Sequence, residues 1–194
     1  MGKNCGGERV GCTLGLHMAY PIADSPPTTL KPFAGPADTV RTMIELCVGR
    51  RGEQSTLVRG LKDHIIRWVQ PKDYLSELLA VRNYAAEKCK YSNDALSVEQ
   101  VQDPQRIAEQ IIRYGRAVCD CDDTSCFIGA LTRQLGRETQ FVIVGFGATG
   151  QYSHVFTRAK EPKTGIWIVL DPVAGTDEEG MLSRVTTHQI WDIP

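Results

Sequence analysis

The stretch CDCDDTSC at residues 119–126 places three cysteines and three aspartates within eight positions. Clusters of this kind occur at metal centres, at redox-active thiol pairs and around catalytic nucleophiles. The three interpretations predict different proteins, so the rest of the chain has to distinguish between them.

The whole chain has the composition of one globular domain. It has 194 residues, of which 42% are hydrophobic and 23% charged, with a formal net charge of −1. This balance gives no electrostatic reason to expect nucleic acid or an anionic membrane as a partner, and no apolar run is long enough to span a bilayer. The seven cysteines are an odd number, and no apolar segment follows the basic residue at the start, so we expect no secretion signal and reduced thiols.

Residues 1–37 differ in composition from the rest of the chain. They contain six glycines and five of the ten prolines, which do not sustain a helix. We predict an extended arm over residues 1–37, ordered where it lies along another surface, and a folded domain over residues 38–194.

The hydrophobic pattern of the domain changes from a helical period to a strand period. Apolar residues recur at helical spacing in five segments between Asp38 and Leu135, several of which open on an aspartate or serine cap. Residues 139–146, 153–159 and 165–171 then read as strands joined by turn-rich segments, which favours antiparallel neighbours. Helices followed by a sheet predict an α+β fold.

Metal and redox sites fit the cysteine cluster poorly. Its C-x-C-x4-C spacing offers three thiolates, whereas structural zinc takes four ligands, so Cys5, Cys12 or a distant histidine would have to complete the site. The C-x-x-C spacing of redox-active pairs is absent. We therefore expect no metal ion and no cofactor.

A nucleophile needs a base and a group that orients the base. Cys121 lies in the opening turn of the predicted fifth helix, where backbone amides favour a thiolate, although the charges of Asp120 and Asp122 oppose one. His154 begins a strand and Asp171 ends the next one, so the two side chains meet if these strands pair. The same spacing also suits an ordinary strand histidine and an aspartate that only begins a turn.

Three motifs resemble those of a known family. CDCDDTSCFIGALTRQLG (119–136) resembles the G-D-C-D-D-x-A helix of transglutaminase-like cysteine hydrolases. YSHVFTRA (152–159) resembles their H-A-W-V-E strand, and WIVLDP (167–172) resembles their W-x-x-L-D-P strand. The resemblance covers about residues 75–173 and is greatest to the versions encoded by tailed bacteriophages and prophages.

The resemblance implies a papain-like fold, in which the nucleophile helix packs on an antiparallel sheet. It implies Cys121 as the nucleophile, His154 as the base and Asp171 as the orienting acid, and it suggests Tyr91 as an aromatic residue near the oxyanion pocket. Cys119 stands where relatives have glycine. We expect Cys119 and Cys126 to pack as small apolar residues.

The implied function is acyl transfer on amide bonds, as a peptidase, an amidase or a crosslinking enzyme. We expect a protein or a peptidoglycan-type peptide as substrate, and a location in the virion or, during assembly, in the host cytoplasm. An alternative is a structural virion subunit at the tail or the head–tail joint that uses the fold for binding. In both cases the arm would contact other virion proteins.

Overall fold

The computed structural model describes residues 28–30, 35–94, 99–148, 150–173 and 178–194. The helices are α1 (Pro36–Val48), α2 (Thr56–Ile66), α3 (Tyr74–Lys88), α4 (Pro104–Tyr114), α5 (Cys121–Gln134) and α6 (Glu178–Ser183). The strands are β1 (Thr28–Leu30), β2 (Cys89–Tyr91), β3 (Glu99–Val101), β4 (Ala117–Cys119), β5 (Thr139–Phe146), β6 (His154–Lys160), β7 (Trp167–Val169) and β8 (Val185–Ile193). Five of these helices precede the main sheet in the chain, so the predicted α+β class is confirmed.

The main sheet has four strands in the order β7-β6-β5-β8, and all its neighbouring strands are antiparallel, as predicted. The prediction missed β8, which forms one edge of the sheet, because its sequence VTTHQIWDI does not alternate cleanly between apolar and polar residues. It also missed β2 and β4, which pair in parallel although each has only three residues.

Aspartate caps set the start of two helices as the sequence predicts. The side chain of Asp73 accepts a hydrogen bond from the N–H of Ser76, and Asp103 accepts one from the N–H of Arg106. The N-cap predicted for the first helix, Asp38, was wrong by three residues: the cap is Gly35, and α1 begins at Pro36. Proline suits this first turn because its missing N–H would have no partner there.

Part of the predicted arm pairs with the chain's own domain. Residues 28–30 form β1, which runs antiparallel to β3 with Thr29 opposite Gln100. The extended arm over residues 1–37 stays a prediction. Residues 1–27 and 31–34 lie outside the described residues.

Helix α5 forms the centre of the core, between the other helices and one face of the sheet. Phe127, Ile128 and Leu131 are fully buried. A Cβ atom at Gly129 would lie 3.1 Å from the ring of Phe141 on β5, so the absence of a side chain lets the helix approach the sheet closely. Among the described residues, no helix combines the length and the apolar character that a membrane span requires.

Three apolar residues that the helical pattern places inward are exposed. Leu75 and Leu79 on α3 are 43% and 36% exposed, and Trp68, which follows the end of α2, is 82% exposed. Leu78 and Ala85 on α3 are buried as the pattern predicts, together with Val81. The spacing of apolar residues locates the buried face of a helix only to within one residue. Residues next to the buried positions were therefore wrongly predicted to face the core.

Two buried hydroxyl groups join α5 to β6. The Ser125 hydroxyl donates to the carbonyl oxygen of Val155 at 3.1 Å, and the Thr157 hydroxyl donates to the carbonyl oxygen of Ser125 at 2.8 Å. Both side chains are buried, so water cannot replace these bonds. They fix the helix that begins at Cys121 against the strand that begins at His154.

Replacing Thr157 by valine should therefore lower the free energy of unfolding by about 1–2 kcal/mol, because the buried hydroxyl and its bond are lost. Urea unfolding followed by circular dichroism measures the change. Thr42→Val is the matched control, since the Thr42 hydroxyl bonds the backbone on the exposed face of α1. An equal change in the two variants would contradict the role of the α5–β6 contact.

Candidate active site

The cysteine cluster lies where β4 ends and α5 begins. Asp120 is the N-cap of α5, and its side chain accepts a hydrogen bond from the N–H of Asp123 at 3.2 Å. Cys121 is the first helical residue, as the sequence predicts. Its sulfur is therefore held at a helix N-terminus, although the flanking carboxylates reduce the benefit of that position for a thiolate.

The Cys121 thiol is partly buried and lies against the backbone of β6. Burial, followed by the charge of Asp122, raises the pKa of Cys121 to about 12, whereas the N–H of Val155, which is directed at the sulfur, lowers that pKa. The thiol is consequently protonated at neutral pH. An attack by this sulfur requires a neighbouring base to accept its proton.

His154 and Asp171 form a direct hydrogen-bonded pair. The distance between His154 Nε2 and Asp171 Oδ2 is 2.6 Å. Because an ionised carboxylate only accepts hydrogen bonds, Nε2 carries the hydrogen of the neutral ring and Nδ1 remains free to accept a proton. The other oxygen of Asp171 accepts the N–H of Val173 at 2.8 Å, and the residue is only 2% exposed.

Cys121 and the His154–Asp171 pair both lie next to the start of β6. Val155, whose N–H is directed at the sulfur, directly follows His154. The direct contact of the His154 side chain is with Asp171, while Cys121 reaches β6 through the Val155 backbone.

Tyr91 lies at the end of β2 and is 55% exposed. Its hydroxyl donates to Asn93 Oδ1 at 3.0 Å. Burial and then the charges of Cys121 and Asp120 raise the pKa of Tyr91, so its ring lies in the same electrostatic neighbourhood as the sulfur. Its part in an oxyanion pocket stays a prediction.

The aspartates beside Cys121 form a buried acidic group that the sequence reasoning considered only as helix caps. One carboxylate oxygen from each of Asp120, Asp122 and Asp123 lies within 4.8 Å of the other two. Both oxygens of Asp123 accept hydrogen bonds from Gln102, from its backbone N–H and its side-chain amide, each at 2.6 Å. Burial raises the pKa of Asp123 to about 7, and burial together with a hydrogen bond to Asp120 also raises the pKa of Asp122.

This acidic group is built as a capping network, in which burial raises the pKa of Asp122 and Asp123. The N–H groups of α5 and Gln102 already occupy oxygens of Asp120 and Asp123. The expectation that no metal ion binds stays a prediction. Sequence reasoning missed Gln102, for which the only signal is its place directly before the helix cap Asp103.

Arg82 is a second residue that the sequence reasoning missed. Its Nε donates to the carbonyl oxygen of Asp171 at 3.3 Å, which links α3 to the residue that bonds His154. No motif marks this arginine, because the contact joins positions 89 residues apart.

The remaining cysteines of the cluster pack in the core. Cys126 is fully buried and its sulfur contacts the carbonyl oxygen of Met43 at 3.4 Å, away from the site. Cys119 is 1% exposed. Both residues therefore occupy the apolar surroundings expected for them.

Removing the Asp122 carboxyl should stabilise the protein at high pH. A carboxyl group with a raised folded-state pKa holds its proton when the unfolded state has released it, so its contribution to stability falls as the pH rises. Asp122→Asn should be more stable than the original chain by about 1–3 kcal/mol at pH 8, and the difference should shrink towards pH 5. Urea unfolding at both pH values measures it.

The control for this prediction is Asp38→Asn, which alters an exposed carboxylate on α1. We expect no comparable change in its stability between the two pH values. A pH-independent difference for Asp122→Asn would show that its carboxyl group is ionised in the folded protein.

The model of the family described as the transglutaminase-like superfamily matches residues 59–172. The matched segment includes α3, β4 and α5. It also includes β6, which begins at His154, and β7, which ends two residues before Asp171. Comparison with curated proteins and with solved structures gives no match. The superfamily consists generally of cysteine-based enzymes. The chain belongs to the transglutaminase-like superfamily.

Proposed function

We propose that this protein is a cysteine-dependent acyl-transfer enzyme with Cys121 as nucleophile, His154 as base and Asp171 as orienting acid. The observation that carries the proposal is the 2.6 Å hydrogen bond between His154 Nε2 and Asp171 Oδ2. His154 begins the strand β6, which packs against the helix that begins at Cys121. Nucleophile, base and orienting acid are the three parts that covalent acyl transfer requires.

The attack begins from a neutral thiol. As the sulfur approaches the carbonyl carbon of an amide, His154 Nδ1 accepts the thiol proton, and the bond from Nε2 to Asp171 stabilises the resulting imidazolium. The same proton then passes to the leaving amine as the tetrahedral intermediate collapses. Backbone N–H groups at the start of α5, with the Tyr91 hydroxyl as a second donor, would stabilise the oxyanion.

The acyl-enzyme formed on Cys121 has two possible fates. Attack by water releases the acid and makes the protein a peptidase or an amidase. Attack by a primary amine forms a new amide and crosslinks two molecules. In either case we propose a protein or a peptidoglycan-type peptide as the substrate.

We propose further that the protein belongs to a phage particle or its assembly, in the virion or the host cytoplasm. The proposal is supported by the resemblance of the three motifs to phage-encoded versions and by the Gly- and Pro-rich segment 1–37. The pairing of β1 with β3 favours a second role as a structural subunit, because it is an example of the arm docking by strand addition. The two roles are compatible within one subunit.

Cys121→Ala should abolish turnover and leave the fold intact, because the acyl-enzyme can no longer form. Asp171→Asn should lower kcat by about 10²–10⁴-fold, because an amide in place of the carboxylate favours the wrong tautomer of His154. Two assays cover both fates of the acyl-enzyme: hydrolysis of an activated ester, and incorporation of a fluorescent amine into a glutamine-containing protein.

Cys126→Ala is the matched control, since it removes a buried thiol from the same helix. It should keep the turnover of the original chain, and thermal unfolding should show that all three variants fold. Turnover that survives in Cys121→Ala would refute the proposed nucleophile.

Deletion of residues 1–27 tests the part proposed for the arm. The shortened chain should keep its turnover, because the residues proposed for the site lie beyond residue 90, but it should no longer enter particles. Particles assembled with either form and purified on a density gradient are compared by mass spectrometry. Equal incorporation of both forms would rule out docking through the arm.

A further inference from the structure

The main sheet has a long strand at one of its edges. Strand β8 (Val185–Ile193) pairs with β5 and ends the strand order β7-β6-β5-β8, whereas β7 at the opposite edge has only three residues. The free side of an edge strand carries a row of backbone N–H and C=O groups that can pair with another strand. Among the strands that the structure describes, β8 presents the longest such row.

The register of the sheet shows which backbone groups of β8 point outward. The N–H of Lys160 donates to the carbonyl oxygen of Glu138 at 2.9 Å, which continues the register of β6 with β5. Hydrogen-bonded pairs alternate along antiparallel strands, so even-numbered residues of β5 bond β6 and odd-numbered ones bond β8. The odd-numbered residues of β5 lie opposite odd-numbered residues of β8. The backbone groups that point away from the sheet therefore belong to His188, Ile190 and Asp192.

This edge is accessible and lacks the usual protection of a long edge strand. The side chains of these three residues are exposed, Ile190 to 41%. Gln189, on the face that packs against the helices, is exposed as well, so no described helix overhangs the middle of the strand. Proteins commonly protect edges with lysine, proline or a bulge. Residues 187–193 contain neither lysine nor proline, and the bulge, at Thr186, lies before them.

We propose that β8 is a dimerisation surface, on which residues 187–193 pair antiparallel with the same residues of a second copy of this chain. The two four-stranded sheets then join into one continuous sheet. This proposal does not depend on the function proposed for Cys121.

The side chains of β8 are complementary to a second copy when the two-fold axis passes through Ile190. Every residue of 187–193 then faces a residue of the same stretch, and each outward N–H and C=O finds a partner. His188 of each copy lies opposite Asp192 of the other, and the two Ile190 side chains face each other. An imidazole opposite a carboxylate and an apolar pair both stabilise adjacent strands. The Gln140 amide, which donates to one oxygen of Asp192 at 2.6 Å, orients this carboxylate.

Neighbouring registers lack this complementarity. An axis at Gln189 places Ile190 opposite His188, and an axis at Trp191 places Ile190 opposite Asp192. In both cases an apolar side chain faces a polar one and the imidazole no longer faces the carboxylate. The pattern of β8 therefore favours one register.

Sedimentation equilibrium of the full chain over a range of concentrations tests the proposal. We expect a reversible dimer of twice the 21.5 kDa mass of one chain. Ile190→Lys places two like charges opposite each other at the axis, so it should raise the dissociation constant of the dimer by about tenfold or more. Ile166→Lys is the matched control, because it makes the same change at an isoleucine that is 59% exposed outside β8.

The control variant should dimerise like the original chain, and circular dichroism should show that both lysine variants fold. A chain that is monomeric at every concentration would overturn the proposal, as would equal dissociation constants for the two lysine variants. The dimer should also persist when residues 1–27 are deleted. Its loss on this deletion would assign the interface to the arm and refute pairing through β8.

Engineered cysteines test the register. In a chain with Cys5→Ser and Cys12→Ser, Ile190→Cys should form a disulfide between copies on mild oxidation, because facing Cα atoms of a hydrogen-bonded pair are about 5.5 Å apart. Gln189→Cys should not, because the two copies of residue 189 lie diagonally across the axis. Non-reducing gel electrophoresis compares both variants with the chain that lacks the added cysteine. A cross-link as strong in Gln189→Cys as in Ile190→Cys, or none in Ile190→Cys, would contradict the proposed pairing.

Discussion

The attachment of α5 to β6 is the constraint on which the rest of the site depends. Two buried hydroxyl groups, on Ser125 and Thr157, bond the helix and the strand to each other. One turn earlier, the N–H of Val155 is directed at the sulfur of Cys121. The position of α5, and with it the backbone of the proposed nucleophile, is thus fixed relative to the strand that begins at His154.

Burial explains the protonation state of this site. The same packing that fixes Cys121 also withdraws it and the neighbouring aspartates from water, which raises the pKa of the thiol and of Asp122 and Asp123. In the proposed mechanism, His154 accepts the thiol proton during attack, and the carboxylate of Asp171 stabilises the resulting imidazolium.

Local signals made much of this structure predictable. The caps at Asp73 and Asp103, the helical period of the middle segments and the period-two runs after Gly136 each depend on neighbours in sequence, so the sequence alone indicates them. The spacing of His154 and Asp171 on consecutive strands predicted their contact, and the structure has it.

Non-local pairing was not predictable. Strand β8 and the short pairs β1–β3 and β2–β4 form because distant segments cover one another. For the same reason no pattern indicated Arg82 beside Asp171.

The most direct measurement is the protonation of the His154 ring by long-range ¹H–¹⁵N NMR, with the signals assigned by the loss of one set in His154→Gln. We expect the neutral ring to carry its hydrogen on Nε2, which bonds Asp171. We also expect the Nδ1 signal to shift when Cys121→Ala removes the sulfur. A ring protonated on Nδ1, or a Nδ1 signal that is unaffected by loss of the thiol, would contradict the proposed site.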